Sequence, residues 1–236
     1  MNQSIYNLCS DIRIECMRIG NESEPVLLID SFIDGAQALK SHAIQSHVFP
    51  IVESYYPGVR MAVPSAYSVA LAKNLRPFIE NHFGCDLRKI KGASSRFSIV
   101  TTRPDKLTLL QSIPHIDSPS KNSLASVHYL VNNFDSGTSL YRHKKTGFEY
   151  IDATRYLPYM ACIGEQFPAP NTYPKAYICG DTREFGVIAS FEARFNRMVM
   201  YRGSSLHSGI IKPNYNFEPS PATGRLTITT FIEFND

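Results

Sequence analysis

Arg225-Leu226-Thr227-Ile228-Thr229-Thr230-Phe231-Ile232 is the stretch on which the reading of this chain turns. In an extended strand, side chains alternate between two faces. Leu226, Ile228 and Ile232 therefore share one face, and Arg225, Thr227 and Thr229 share the other. The first face belongs to an apolar core, and the second must meet something polar. An arginine heading a buried strand is costly unless an anion partners it. Its guanidinium matches a carboxylate in bidentate geometry, and Thr227 adds a hydroxyl on the same side. Two kinds of partner fit: an internal acid such as Glu233 or Asp236, or the carboxylate of a bound molecule.

Upstream of this strand the same period of two recurs in short runs. Arg96–Thr101, Thr108–Asp117, Ser123–Val131, Gly137–Arg142, Phe191–Arg194, Arg197–Tyr201 and Leu206–Ile211 all read as strands. Before residue 95 the texture differs. Residues 1–24 suit a loose arm or an edge strand, and Val26–Asp30 a buried strand. Helices are expected from about Gly35 to Val48, capped by Asp34, and from about Ala66 to Phe83. Pro77 should kink or break the second helix, and Gly84 should end it. The expected architecture is one domain over 1–236: a helical lead-in over 1–94 packed on the sheet, then an antiparallel β core over 95–236. Residues 155–180 contain Pro158, Pro168, Pro170 and Pro174. They read as an irregular, lid-like excursion whose Tyr156, Tyr159, Phe167 and Tyr173 would wall a cavity.

Composition narrows the function classes. With 43% hydrophobic residues, 13 Tyr and 14 Phe, the chain can build a sizeable core, which excludes intrinsic disorder. A net charge of +3 gives no broad basic surface, so no nucleic-acid partner is expected. The 5 cysteines lack CxxC spacing and read as reduced thiols of a cytoplasmic protein. No apolar run is long enough for a membrane span, and no membrane partner is expected.

The chemistry concentrates in few residues. His115-Ile116-Asp117 would aim an imidazole and a carboxylate at one face of a strand, and His207 follows a second apolar strand. Two His and one carboxylate on three sites of an octahedral ion, with the other positions open, is the arrangement of non-haem Fe(II) oxygenases. Taken alone, His115 and Asp117 read as a histidine oriented by a neighbouring acid at a strand end. His128 reads as a core residue, and His143, within Arg142-His143-Lys144-Lys145, as exposed.

The order His115-x-Asp117, His207, Arg225-x-Thr227 resembles the Fe(II)/2-oxoglutarate-dependent dioxygenase superfamily. His128–Asn132 with Phe134–Thr138, and Asn196–Tyr201 leading into His207, resemble its prolyl-hydroxylase-like branch. The interval from His207 to Arg225 is longer than is usual there, which implies an inserted loop at Pro213–Pro221. Ser136-Gly137 stands where that branch has paired glycines. The resemblance implies a double-stranded β-helix (a cupin-like jelly roll) with Fe(II) on His115, Asp117 and His207. It also implies 2-oxoglutarate held by Arg225 and Thr227 with Tyr129 lining its pocket, and O2 as the oxidant. Because Asp117 keeps the carboxylate that halogenating members lack, the implied reaction is hydroxylation of a small-molecule or peptidyl substrate. Two other readings stay open: a metal-binding jelly roll acting as an isomerase or sensor, and a β-sandwich binding module without a metal.

Overall fold

Both faces of the closing strand are used, one by a helical layer and the other by a second sheet. The computed structural model describes residues 3–46, 49, 55–131, 133–169 and 172–235. Among them lie the strands β1 (Arg13–Ile19), β2 (Glu24–Asp30), β3 (Gly58–Ala62), β4 (Ile90–Val100) and β5 (Ser123–Tyr129). They continue with β6 (Asn133–His143), β7 (Phe185–Ala193), β8 (Arg197–Arg202), β9 (His207–Ile211) and β10 (Thr227–Phe234). The helices are α1 (Ala36–Gln45), α2 (Ser65–Asn74), α3 (Arg76–Phe83), α4 (Leu109–Ser112) and α5 (Ala153–Gln166).

A 7-stranded sheet runs β1-β2-β8-β5-β10-β4-β3, and a 3-stranded sheet runs β7-β6-β9. All pairings are antiparallel. From β5 the chain crosses to β6 and β7, returns as β8, crosses again as β9 and returns as β10. Each return lands beside an earlier strand: β8 and β10 flank β5, while β7 and β9 flank β6. This nested path is a jelly roll.

Alternation assigns the cores. Leu27, Ile29, Phe97, Ile99, Met198, Met200, Ile228 and Ile232 face outward against Leu39, Tyr67, Leu71, Ile79 and Phe83 of the helices. Val26, Ala125, Val127, Tyr129, Val199 and Tyr201 face inward against Leu140, Phe191 and Ala193 of the small sheet. Each fully buried aliphatic or aromatic side chain contributes roughly 1.5–3 kcal/mol. A third cluster lies behind the small sheet, where Tyr159, Ile163 and Phe167 of α5 pack on Tyr141, Phe185 and Leu206.

Several expectations are corrected. The 1–94 segment is not a helical lead-in: its first helix begins at Ala36, and it supplies β1, β2 and β3 to the large sheet. Val26–Asp30 is the buried strand expected, and Val26–Ile29 is apolar on both faces because β8 pairs beside it and cores lie above and below. Gly35, not Asp34, precedes α1, and Val48 lies outside the described residues. The second helix breaks at Leu75, which places Pro77 in the first turn of α3, where its missing N–H costs nothing. Gly84 ends α3 with φ of 69°. Thr108–Asp117 is not a strand. Thr108 and Gln111 form a capping box that starts α4, and only His115 makes a β-bridge.

The excursion at 155–180 is helical in its first half. The Asp152 carboxylate accepts hydrogen bonds from the Thr154 and Arg155 amides at 3.0 and 3.1 Å, capping α5. Tyr159 and Phe167 are core residues, not cavity walls, and Pro170 lies outside the described residues.

Candidate active site

β9 carries His207 at its start, with its side chain on the inward face of the small sheet. The His115 segment runs alongside and exchanges both backbone hydrogen bonds with it, His115 N to His207 O and the reverse, each 2.9 Å. Asp117 is fixed by a further backbone bond to Gly203 O at 2.8 Å. One donor atom from each of His115, Asp117 and His207 then lies within 4.8 Å of the other two. Asp117 is an exposed residue by its backbone, yet its side chain is only 18% exposed because the carboxylate turns inward.

The proton on His207 decides what this group can do. Its Nδ1 lies 3.0 Å from Ser205 O, a carbonyl that can only accept, so Nδ1 carries the hydrogen. The lone pair on Nε2 then faces Asp117 Oδ2 at 3.4 Å. Two electron-rich atoms opposed at that distance call for a cation or a proton between them. Donors bound to a first-row ion at ~2.1 Å on adjacent octahedral sites stand about 3 Å apart. The donor set fits such an ion, and the Ser205 contact is the kind of outer hydrogen bond that orients a ligating histidine.

Burial tunes the same groups. Desolvation, reinforced by repulsion from His207, lowers His115 to about 4. Desolvation also lowers His207 to about 4, against the Ser205 hydrogen bond. Both imidazoles are neutral and able to coordinate at pH 7. Asp117 rises to about 6 through desolvation, which His115 and Arg60 partly offset.

Arg225 is 4% exposed and sits further along the same face. Its guanidinium lies over Gly209, two residues past His207, with Nη2 3.6 Å from where a side-chain Cβ would stand. Nε donates to Ser136 Oγ at 2.6 Å and Nη2 to Gly137 O at 2.7 Å. The Tyr129 ring lies 5.6 Å below it. Among the described residues no carboxylate pairs with Arg225. Glu233 instead approaches Lys91 at 3.8 Å, and Asp236 lies outside the described residues. Thr227 is fully buried beside Tyr129 on the neighbouring strand, and the Tyr129 hydroxyl is 2.7 Å from Thr138 Oγ1.

The loop between His207 and Arg225 does not displace the arginine. Its Tyr215 hydroxyl accepts from Arg225 N at 3.0 Å and donates to Val100 O at 3.1 Å, stitching the loop to the mouth of β10. Sequence reasoning did not single out Tyr215, nor Tyr201, whose ring stands 4.6 Å from that of His207. An aromatic residue inside a polar insertion and a tyrosine ending an apolar strand were the available signals. Other candidates fall elsewhere. His128 faces the helices, bound to Tyr67 and Asn196 at 3.0 Å each. His143 is fully buried, between Thr146 and Gln166, rather than exposed.

The fold is shared, at low sequence identity, with a solved non-haem α-ketoglutarate-dependent enzyme. The chain matches the non-haem α-ketoglutarate-dependent carbocyclase SnoK from nogalamycin biosynthesis with a TM-score of 0.51 and 14% identity, over 91% of this chain and 81% of that one. The epimerase SnoN from the same biosynthesis is similar at TM-score 0.47 and 12% identity, over 89% of this chain and 78% of that one. HygX from Streptomyces hygroscopicus, with nickel, 2-oxoglutarate and hygromycin B bound, gives 0.48 and 12%, over 91% and 84%. No curated protein matches the chain by sequence. The chain belongs to the family of unknown function DUF6445, which matches residues 10–232.

Proposed function

We propose that this chain is an Fe(II)- and 2-oxoglutarate-dependent oxygenase that hydroxylates a small-molecule or peptidyl substrate. The observation that carries the reading is the opposed lone pairs of His207 and Asp117 beside His115, on the same inward face as an arginine lacking a described carboxylate partner. The run from His128 to Thr138 and the strand before His207 support the prolyl-hydroxylase-like branch.

His115, Asp117 and His207 would hold Fe(II), leaving its remaining positions for 2-oxoglutarate and O2. Bound there, the metal supplies the chemistry that converts 2-oxoglutarate, O2 and a substrate C–H bond to succinate, CO2 and an alcohol. Arg225 receives the distal carboxylate of 2-oxoglutarate, with Thr227 as an added hydroxyl donor and Tyr129 as its floor. Ser136 and Gly137 hold the guanidinium ready before the anion arrives, which lowers the ordering cost of binding. Tyr201 and the aliphatic residues between the sheets keep water from the reacting atoms.

The test is an anaerobic titration of the full chain with Fe(II) and 2-oxoglutarate. The expected result is a weak visible charge-transfer band that needs both components and is lost in His207→Ala. A chain that binds Fe(II) but gives no band with 2-oxoglutarate would overturn the proposal.

A further inference from the structure

β3 and β4 form the edge of the large sheet beyond β10, and register places Arg60 and Ser98 on the same face as Thr227. Arg60 on β3 points onto this face. Nε donates to Ser98 Oγ at 3.2 Å and Nη2 to Thr229 Oγ1 at 2.8 Å. The guanidinium lies 4.8 Å from the Tyr56 ring and 5.7 Å from the Phe231 ring. Arg96, two residues before Ser98 on β4, presents a second guanidinium on the same face and is exposed. Among the described residues neither arginine has a carboxylate within 4.0 Å, although both lie close enough for their charges to repel.

A half-buried guanidinium fixed by two hydroxyls and two aromatic rings is a costly element to keep unless an anion completes it. Arg225 is closed in by Ser136, Gly137 and Tyr129, whereas Arg60 stands nearer solvent with Arg96 beside it. The deep arginine suits a co-substrate that binds first, and the outer pair suits a group arriving afterwards.

We infer that Arg60, assisted by Arg96, anchors an oxyanion of the substrate, a carboxylate or a phosphate, so that the molecule oxidised is anionic. This rests on the oxygenase reading, and the experiment separates the two. The full chain, 15N-labelled and loaded with Zn(II) and 2-oxoglutarate, is titrated at constant ionic strength with acetate, inorganic phosphate or neutral acetamide while the arginine Nε–Hε resonances are followed. Acetate or phosphate should shift the Arg60 signal saturably at millimolar concentrations, and acetamide should not. The stronger of the two anions identifies the group. Arg60→Gln should weaken the anion at least tenfold while 2-oxoglutarate affinity holds, and Arg60→Lys should fall between.

If a carboxylate of the chain itself held the guanidinium, no added anion would shift it, and the inference would fall. It also falls if the anion binds Arg60→Gln unchanged, or if that variant loses 2-oxoglutarate instead. Should wild-type protein bind Zn(II) but not 2-oxoglutarate, the oxygenase reading fails. The same titration without 2-oxoglutarate then still decides whether Arg60 takes an anion.

Discussion

His115 and His207 are registered by the main chain: each donates its backbone N–H to the other's carbonyl at 2.9 Å, and their rings stand 4.4 Å apart. Substituting either side chain leaves this bridge intact. His115→Ala and His207→Ala should each weaken Mn(II) binding by 100-fold or more, on the order of 3 kcal/mol. The metal-free melting temperature should barely move. Calorimetric titration and a thermal melt of the same preparations check both halves.

Arg225→Ala should weaken 2-oxoglutarate by ~1.5–3 kcal/mol, the range for a hydrogen bond to a charged group, with metal binding nearly unchanged. Arg225→Lys should recover only part, because a point charge does not reproduce the planar fork. A purely structural arginine would instead lower the melting temperature in both variants and leave co-substrate affinity alone.

The pH dependence of metal binding follows from Asp117. Its carboxyl, raised to about 6, must lose its proton to coordinate. Metal affinity should be flat above that pH and fall toward tenfold per unit below it, with about one proton released on binding at acidic pH. Mn(II) titrations from pH 5 to 8 in buffers of different ionisation enthalpy measure both.

Metal-free stability should move with a second set of groups. Burial lowers His128 to about 4, so the unfolded chain takes up a proton that the folded chain refuses. Its contribution is complete above ~6.5 and is lost as the pH falls toward 4, at most about 3 kcal/mol. His115 and His207 act in the same direction, and Asp117, raised in the fold, opposes them. Urea denaturation at pH 7 and 4.5 should show a smaller acid loss in His128→Gln than in wild type.

Asp30 and Arg197 form a bidentate pair at 2.5 and 2.8 Å, with the arginine side chain 7% exposed and the aspartate 34%. Asp30→Asn strands a buried guanidinium. It should cost about 2–3 kcal/mol in chemical denaturation, below the range for fully buried pairs because solvent reaches the aspartate.

Much of this molecule could be read from periodicity. Most strands from Ser123 onward lie within a few residues of where their alternation put them, because their side chains pack into cores that fix the register; β7 is the exception, beginning at Phe185, six residues before the expected Phe191. The three clustered donors were legible through residue type and order rather than through a regular strand, since the His115 segment makes only a single bridge. The helix at 153–166 was missed because its prolines outweighed better signals: Asp152 as a cap, and Tyr159, Ile163 and Phe167 spaced by four. Arg60 was missed because nothing in Gly58–Ala62 says which sheet it edges. Its meaning comes from Ser98 and Thr229, which are distant in sequence.

The closing strand β10 acts as a partition wall. Its odd-numbered residues Thr227, Thr229 and Phe231 line the chamber, while Ile228 and Ile232 carry the helical layer. Substitutions on the chamber side change what the space between the sheets presents while the helical layer behind stays as it was. A lineage built on this plan is free to diversify its chemistry one residue out of two.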